Sequence, residues 1–370
     1  MGEDALVLLL MLAAGLIVAC AGGLAIILLY ALIRPNRGPF FAPISRRHPA
    51  PDGVTVGIAF AVFVLTPQIV HVLLSWVGFF HAIYGDIFPS GWPGKAPDTI
   101  RTLWSGAIAF PLQLGLMFAI VRTRGGLPAF EPRGWVRHAV AGYLTWLLVT
   151  PVAFCVFALA NLAHFWLTSQ PPDKHPLTAL GDSGGTREWT LFVLQTVFLA
   201  PILEELLFRG LLLPWLAQTR PPAPDSVMPV MPPHRPQIIM LLCVGVAAIL
   251  HSADIESAWR AGDRFSAAMH LIPAVFFVAL FPLDLLAHKS SRLRRSLRIR
   301  SVQQLRAIVA SSVLFAAVHA QVWPSPVPLF VLALGLGYLY IRTRSMVGPV
   351  VVHGMFNAVS AVYLLLGGPA

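Results

Sequence analysis

Two adjacent glutamates and an arginine interrupt the apolar stretch FLAPILEELLFRGLLLPWL, residues 198–216. Glu205 and Arg209 are one helical turn apart, so a helix would place them on one face, where they can form an ion pair. Glu204 would point about 100° away around the helix axis and is left for a different role. A carboxylate in a desolvated site can act as the general base that takes a proton from water. The stretch therefore supplies a carboxylate outside the ion pair, of the kind that hydrolysis needs.

Two further polar pairs lie on apolar segments, and the members of each pair are again one helical turn apart. They are Phe315 and His319 in LFAAVH, and His353 and Asn357 in HGMFN. One histidine can share the attacking water or hold a metal ion, while the second histidine and the amide can donate hydrogen bonds to a developing oxyanion. The alternative is that these side chains form a buried polar network that only fixes helix packing.

The elements that must position these residues are membrane helices. The chain has 57% hydrophobic and 11% charged residues, whereas soluble domains carry about 25% charged residues. Crossing a bilayer takes about 20 apolar residues, and three of the apolar stretches are shorter, so one of them could be re-entrant. We predict an all-α polytopic transmembrane helical bundle of about 8–10 spans. The stretches are 5–33, 54–83, 103–121, 138–167, 189–217, 238–252, 267–287, 307–322, 327–341 and 347–366.

Almost all of the positive residues that give the net charge of +10 lie in the loops between apolar stretches, which argues against a nucleic-acid-binding surface. With the loops assigned alternately, those on the inside carry 19 of the 26 lysines and arginines, and those on the outside carry 6. This positive-inside bias predicts ten crossings in the plasma (inner) membrane with both termini outside. Glu204 then lies past the midpoint of its span, so the site opens toward the cytoplasmic half. Asp284 lies near a cytoplasmic end, where we expect it to reach the interface.

The cysteines and one serine motif indicate no further chemistry. Cys20, Cys155 and Cys243 all lie in apolar stretches, at spacings that suggest neither a disulfide framework nor a zinc knuckle. The letters GDSGG at 181–185 match the nucleophile motif of trypsin-like proteases, but that chemistry needs a β-barrel with distant histidine and aspartate partners. We interpret this segment as a Gly-rich loop. Pro201, one turn before the glutamates, is expected to bend its helix and free a backbone carbonyl.

Taken together, the three polar motifs resemble the signature of the CPBP intramembrane proteases, also called the CAAX prenyl protease type II or Abi family. That signature is Glu-Glu-x-x-x-Arg, then Phe-x-x-x-His, then His-x-x-x-Asn/Asp, and this chain has EELLFR, FAAVH and HGMFN in the same order. The resemblance covers about 188–217 and 307–366. It implies that Glu204 activates a water with the help of His319, and that His353 and Asn357 stabilise the oxyanion.

The resemblance also implies that Glu205 and Arg209 orient and support the base. It leaves metal dependence open, because members of the family can be regarded as metalloproteases or as metal-independent glutamate-type proteases. A divalent metal such as zinc, if one is used, would be bound by Glu204, His319 and His353. The stronger zinc signature His-Glu-x-x-His does not occur in the sequence.

The domain organisation departs from the family pattern at one place. We predict N-terminal transmembrane helices over 1–187 and a catalytic membrane core over 188–366, interrupted by an insertion at about 218–306. The insertion contains two of the apolar stretches, 238–252 and 267–287. An even number of extra crossings preserves the orientation of the next motif helix, so the site can still assemble.

The function predicted from these residues is that of an intramembrane endopeptidase acting on a peptide or a membrane-protein substrate in the lipid bilayer. Two alternatives stay open. The first is a non-catalytic family member that binds a partner, for instance an immunity protein. The second is a transporter with a buried Glu/His/Arg relay, although transporters commonly repeat their broken helices in both halves and here the polar residues cluster in one half.

Overall fold

The computed structural model describes residues 51–85, 96–123, 134–169, 185–218, 234–297, 299 and 301–365. All regular structure within these ranges is helical, and no strand occurs in them, which confirms the predicted all-α bundle. This follows from the chemistry of the bilayer, since a lipid-exposed backbone must satisfy its own hydrogen bonds. The predicted span 5–33 with Cys20, and Ser183 of the Gly-rich loop, lie outside the described residues.

Fourteen helices can be delimited in the described part of the chain. They are α1 (Gly53–Trp76), α2 (Phe79–Tyr84), α3 (Ala96–Thr123), α4 (Trp135–Thr168), α5 (Thr186–Ala217), α6 (Arg235–Leu250), α7 (Ser252–Arg260), α8 (Arg264–Met269), α9 (Ile272–Ala279), α10 (Phe281–Lys289), α11 (Ser291–Ser296), α12 (Val302–Ala317), α13 (Pro326–Thr343) and α14 (Val347–Leu365).

Seven helical segments within the described ranges are long and apolar enough to cross a membrane, so the chain is an integral membrane protein. Helices α6 and α7 make an eighth if the 44° bend between them lies within one span. The continuous segment Arg264–Lys289 counts as one of the seven, although it is broken into α8, α9 and α10. These seven or eight candidate spans of the described residues are consistent with the predicted 8–10, since the first predicted stretch, 5–33, lies outside those residues.

Helix α12 is the most enclosed element of the described bundle, and it carries the Phe-x-x-x-His motif. It packs against α6, α10, α13 and the C-terminal end of α5. Small residues allow this close packing: a side chain at Gly337 of α13 would come within 3.2 Å of Ile308 in α12. Because protein surrounds α12 on several sides, its 16 residues need not match the full thickness of the bilayer.

A buried ion pair joins α12 to α10, which lies in the segment 218–306 that we predict to be an insertion (called the insertion below). Arg306 donates from Nε to Asp284 Oδ1 at 2.7 Å and from Nη2 to Asp284 Oδ2 at 2.9 Å. Asp284 is only 4% exposed, so our expectation that it reaches the membrane interface was wrong. Its partner Arg306 lies in a different helix, α12, and supplies the counter-charge inside the bundle.

Candidate active site

The two glutamates occupy a short α-helical stretch between two π-helical segments of α5. The π segments are Leu194–Leu199 and Leu206–Leu212, and the glutamates end the stretch Ala200–Glu205 between them. In a π segment each N–H bonds to the carbonyl five residues back, as Ala200 does to Gln195. Such segments are frequent at functional sites, because the change of hydrogen-bond register alters the direction of the side chains.

Pro201 continues this register without an N–H, so the Thr196 carbonyl loses the donor that a π-helix would provide. Asn357 of α14 supplies the replacement, donating from Nδ2 to Thr196 O at 2.9 Å. A neighbouring glycine makes this approach possible, since a Cβ at Gly354 would lie 2.7 Å from Val197 O. One amide hydrogen of the predicted oxyanion donor Asn357 thus joins α14 to the backbone of α5.

The ion pair predicted between Glu205 and Arg209 is present and completely buried. Arg209 Nη1 donates to Glu205 Oε1 at 2.9 Å, and Nη2 donates to Ala333 O of α13 at 3.4 Å. The guanidinium also lies 4.6 Å from the centre of the Phe315 ring, a cation–π contact that strengthens when water is excluded. These contacts hold α5 against α12 and α13.

His353 lies beside both glutamates. Its Nδ1 is 2.9 Å from Glu205 Oε1, and its Nε2 is 3.8 Å from Glu204 Oε2. An ionised carboxylate only accepts hydrogen bonds, so Nδ1 carries the proton in this contact. Glu205 Oε1 therefore accepts from Arg209 and from His353 together, and Glu205 orients the imidazole.

Several polar atoms of this cluster have no hydrogen-bond partner within the described residues. They are Oε2 of Glu204, Oε2 of Glu205 and Nε of Arg209. Burying polar atoms without partners costs free energy, so this cluster is not optimised for stability alone. Glu204 is the outermost of the acids, with 15% of its side chain exposed against none for Glu205.

His319 lies just past the C-terminal end of α12 and is partly buried. Its Nδ1 is 2.8 Å from Phe315 O, and because a carbonyl only accepts, the lone pair of the neutral ring is on Nε2. The Phe315 ring lies 5.1 Å from the His319 ring and 5.5 Å from the His353 ring, measured between centres. Phe315 therefore packs against both imidazoles, a position that the sequence motif alone did not explain.

The donor chemistry of the site suits a metal, but its spacing does not. Both histidines hydrogen-bond through Nδ1, which is how metal-binding histidines are commonly oriented. Nevertheless, Glu204, His319 and His353 do not form a group with all three ligand atoms within 4.8 Å of one another. Among the described residues, such a group is formed only by His251, Asp254 and His270. As placed in this structure, the three residues that we predict as metal ligands are therefore too far apart to bind one ion together.

Sequence reasoning missed the contact between the insertion and the end of α12. His251, which follows α6, is buried, and its Nε2 lies 3.0 Å from Ala320 O, one residue beyond His319. No spacing in the sequence indicates this contact. The Thr196–Asn357 bond, in contrast, had a signal in Pro201, since a proline in a helix frees a carbonyl that another group must satisfy.

Comparison with known protein families gives one match. Residues 186–297 and 290–359 match the model of a family described as type II CAAX prenyl endopeptidase Rce1-like. The matched region extends from α5 into α14 and contains all six predicted site residues. No curated protein and no solved structure matches the chain.

Proposed function

We propose that this chain is an active intramembrane endopeptidase. The proposal proceeds from the match of residues 186–359 to the family described as type II CAAX prenyl endopeptidase Rce1-like. The family is one of proteases, which act on peptide or protein substrates, and the helices of the chain place it in a membrane. The single observation that carries the proposal is the position of Glu204. Its Oε2, which has no hydrogen-bond partner within the described ranges, is 3.8 Å from His353 Nε2, at the outer edge of a buried ion pair.

The reaction that this geometry supports is general-base hydrolysis. Glu204 takes a proton from a water, whose oxygen attacks the carbonyl carbon of the scissile peptide bond. His319 Nε2 accepts a hydrogen bond from the same water and helps to hold it. When the C–N bond breaks, the proton on Glu204 passes to the leaving amine, so that the carboxylate is regenerated.

The negative charge on the tetrahedral intermediate needs hydrogen-bond donors. His353 can donate through Nε2 when that atom carries a proton, with Nδ1 remaining bonded to Glu205. Asn357 would contribute the second hydrogen of its amide, since the first is bonded to Thr196 O. Glu205 and Arg209 are positioning residues in this scheme, because they act on the substrate only through His353 and the helix that carries Glu204.

The experiment that tests the proposal compares peptides from membranes and medium of cells that express the wild type or Glu204→Gln at equal abundance. Glu256→Gln is the matched control, because Glu256 is exposed in α7 and pairs with Arg260, which is also exposed, away from the site. Peptides that depend on the wild type should persist with Glu256→Gln and fall by at least about 100-fold with Glu204→Gln.

Each other outcome of this comparison has a defined meaning. If the products persist with Glu204→Gln, Glu204 is not the base. If no product depends on the wild type under several growth conditions, the protease proposal fails, and a non-catalytic immunity or binding protein, or a transporter, explains the polar residues better.

We also propose a plasma (inner) membrane location with the site open to the cytoplasmic half, which the distribution of positive charges supports. A cysteine placed at Lys289, an exposed residue at the end of α10, tests the orientation. It should react with a membrane-impermeant thiol reagent in inverted vesicles and stay unreactive in intact cells. Labelling in intact cells would reverse the topology.

A further inference from the structure

Three side chains of metal-binding type come together in the insertion, outside the site just described. They are His251 between α6 and α7, Asp254 in the first turn of α7, and His270 directly after α8. One ligand atom of each lies within 4.8 Å of those of the other two. We propose that these residues form a binding site for a divalent transition metal of the zinc class, and that this site fastens the insertion to the end of α12.

The backbone brings the three residues together through a bend and a turn. Helices α6 and α7 meet at His251 with a 44° bend, and Asp254 follows one helical turn later on the same face. The chain then reverses through Gly262, whose φ of 76° favours glycine, and α8 returns His270 to the other two. This segment carries charged side chains, which indicate that it lies at the aqueous edge of the membrane, within reach of dissolved metal: Asp254, Glu256, Arg260, Asp263 and Arg264.

The protonation of His251 favours metal binding. Its Nε2 is 3.0 Å from Ala320 O, and a carbonyl only accepts, so Nε2 carries the proton and Nδ1 keeps the lone pair. Metal-binding histidines almost always donate their other N–H to a carbonyl or a carboxylate in this way. His251 is buried, while Asp254 is exposed and His270 partly exposed. The group therefore has a fixed inner ligand and an open path for the ion.

The donor set selects the class of metal. Two imidazoles and one carboxylate suit zinc and similar divalent ions better than calcium or magnesium, which prefer oxygen ligands throughout. Ligand atoms at about 2.1 Å from a tetrahedral zinc lie about 3.4 Å apart. Side-chain rotation of Asp254 and His270 on the surface can close the remaining gap, and a water can fill the fourth position.

The expected consequence is a firmer contact between the insertion and the helix that carries His319. A cation on Nδ1 withdraws electron density from the imidazole, so that Nε2–H becomes a stronger donor to Ala320 O. Ala320 follows His319 directly, and α12 ends at Ala317. The metal would thus stabilise the backbone around His319 without touching the hydrolytic site, and its binding does not depend on the proposed proteolysis.

The test measures metal binding by the full-length chain in detergent, purified without a histidine tag and stripped with a chelator. Cobalt is the probe, since its visible absorption reports coordination, and zinc serves as the competitor. The variants are His270→Gln, the matched control His288→Gln at an exposed position of α10, and Glu204→Gln in the hydrolytic site. We expect one cobalt per chain in the wild type and both controls, and an affinity at least about 10-fold weaker in His270→Gln.

A second readout keeps the test independent of folding defects. Zinc should raise the Tm of the wild type and of His288→Gln, and leave that of His270→Gln unchanged, while the metal-free proteins melt alike. The proposal is overturned if the wild type binds no cobalt, or if His270→Gln binds it as tightly. It is also overturned if Glu204→Gln loses the ion and His270→Gln keeps it, because the metal then belongs to the hydrolytic site.

Discussion

Two buried ion pairs in the described part of the chain are built differently. Asp284 and Arg306 form two parallel hydrogen bonds of 2.7 and 2.9 Å, which engage both carboxylate oxygens. Glu205 and Arg209 form one hydrogen bond of 2.9 Å, and the same oxygen also accepts from His353. In this second pair, Glu205 Oε2 and Arg209 Nε have no partner among the described residues. We call the Asp284–Arg306 pair closed, because both of its carboxylate oxygens have a partner. We call the Glu205–Arg209 pair open, because two of its polar atoms have none among the described residues.

The pairs also differ in what they join. The closed pair connects α10 of the insertion with α12, so it acts between helices. The open pair lies within one turn of α5 and reaches other helices through His353, Ala333 and the ring of Phe315. A pair that serves packing alone can satisfy all its atoms, whereas one that orients a reactive group must leave that group exposed to a substrate. We therefore expect the pair with unsatisfied atoms, Glu205 and Arg209, to be the one that serves function.

Replacing each pair by apolar residues should separate the two roles most sharply. We expect Glu205→Leu with Arg209→Met to abolish proteolysis, a loss of about 10⁴-fold, because removing a carboxylate that orients a catalytic imidazole has an effect of this size. Asp284→Leu with Arg306→Met is the control and should retain activity. The measurement is product formation by equal amounts of folded protein. Equal activity of the two double variants would remove the functional distinction between the pairs.

Removing only the arginine of a pair should instead lower the stability of the protein, whichever of the two pairs is changed. Arg209→Ala and Arg306→Ala each leave a buried carboxylate without its counter-charge, which costs about 3–5 kcal/mol. Both variants should accumulate to lower levels in the membrane, as seen in a quantitative blot. The Asp284→Leu, Arg306→Met double variant should recover most of this loss, since apolar replacement of a whole buried pair is often neutral. Normal accumulation of Arg209→Ala would contradict the importance of the open pair for folding.

Removing the hydrogen bond between Asn357 of α14 and Thr196 of α5 should have the smallest effect, a modest loss of stability. Asn357→Ala removes the donor to Thr196 O and leaves that carbonyl unsatisfied beside Pro201, which costs about 1–3 kcal/mol. The matched control is Asn161→Ala in α4, where the amide oxygen has no partner among the described residues. Thermal unfolding in detergent measures the difference. A Tm for Asn357→Ala no lower than that of the control would show that water satisfies the carbonyl equally well.

Hydropathy and helical spacing predict a large part of this architecture. Each apolar stretch between 54 and 366 contains helix in the described residues, because the bilayer leaves the backbone few other choices. The Glu205–Arg209 pair follows from spacing within one helix. The freed carbonyl follows from Pro201, although the sequence does not say which carbonyl is freed or that Asn357 bonds to it.

The remaining features depend on which helices become neighbours. Glu205 and His353 meet across 148 positions, and Asp284 is buried because Arg306 happens to lie beside it. The two π segments of α5 have no signature in residue type, since they reflect a shift of hydrogen-bond register that the packed bundle stabilises. The catalytic roles of the six residues and the domain boundaries stay predictions, to be decided by the variants above.

The placement of Arg209 one turn from Glu205 has a consequence for biogenesis. At about 5–20 residues per second, the ribosome needs roughly 7–30 s to add the 148 positions between Glu205 and His353. An unpaired charge in the bilayer during that interval costs about 2.5–3.5 kcal/mol. Arg209 enters the translocon together with Glu205 in the same helix, so this carboxylate is neutralised before its second partner has been translated. Glu204 has no basic residue one turn away in α5, so its carboxylate stays unpaired until α14, which carries His353, has been inserted.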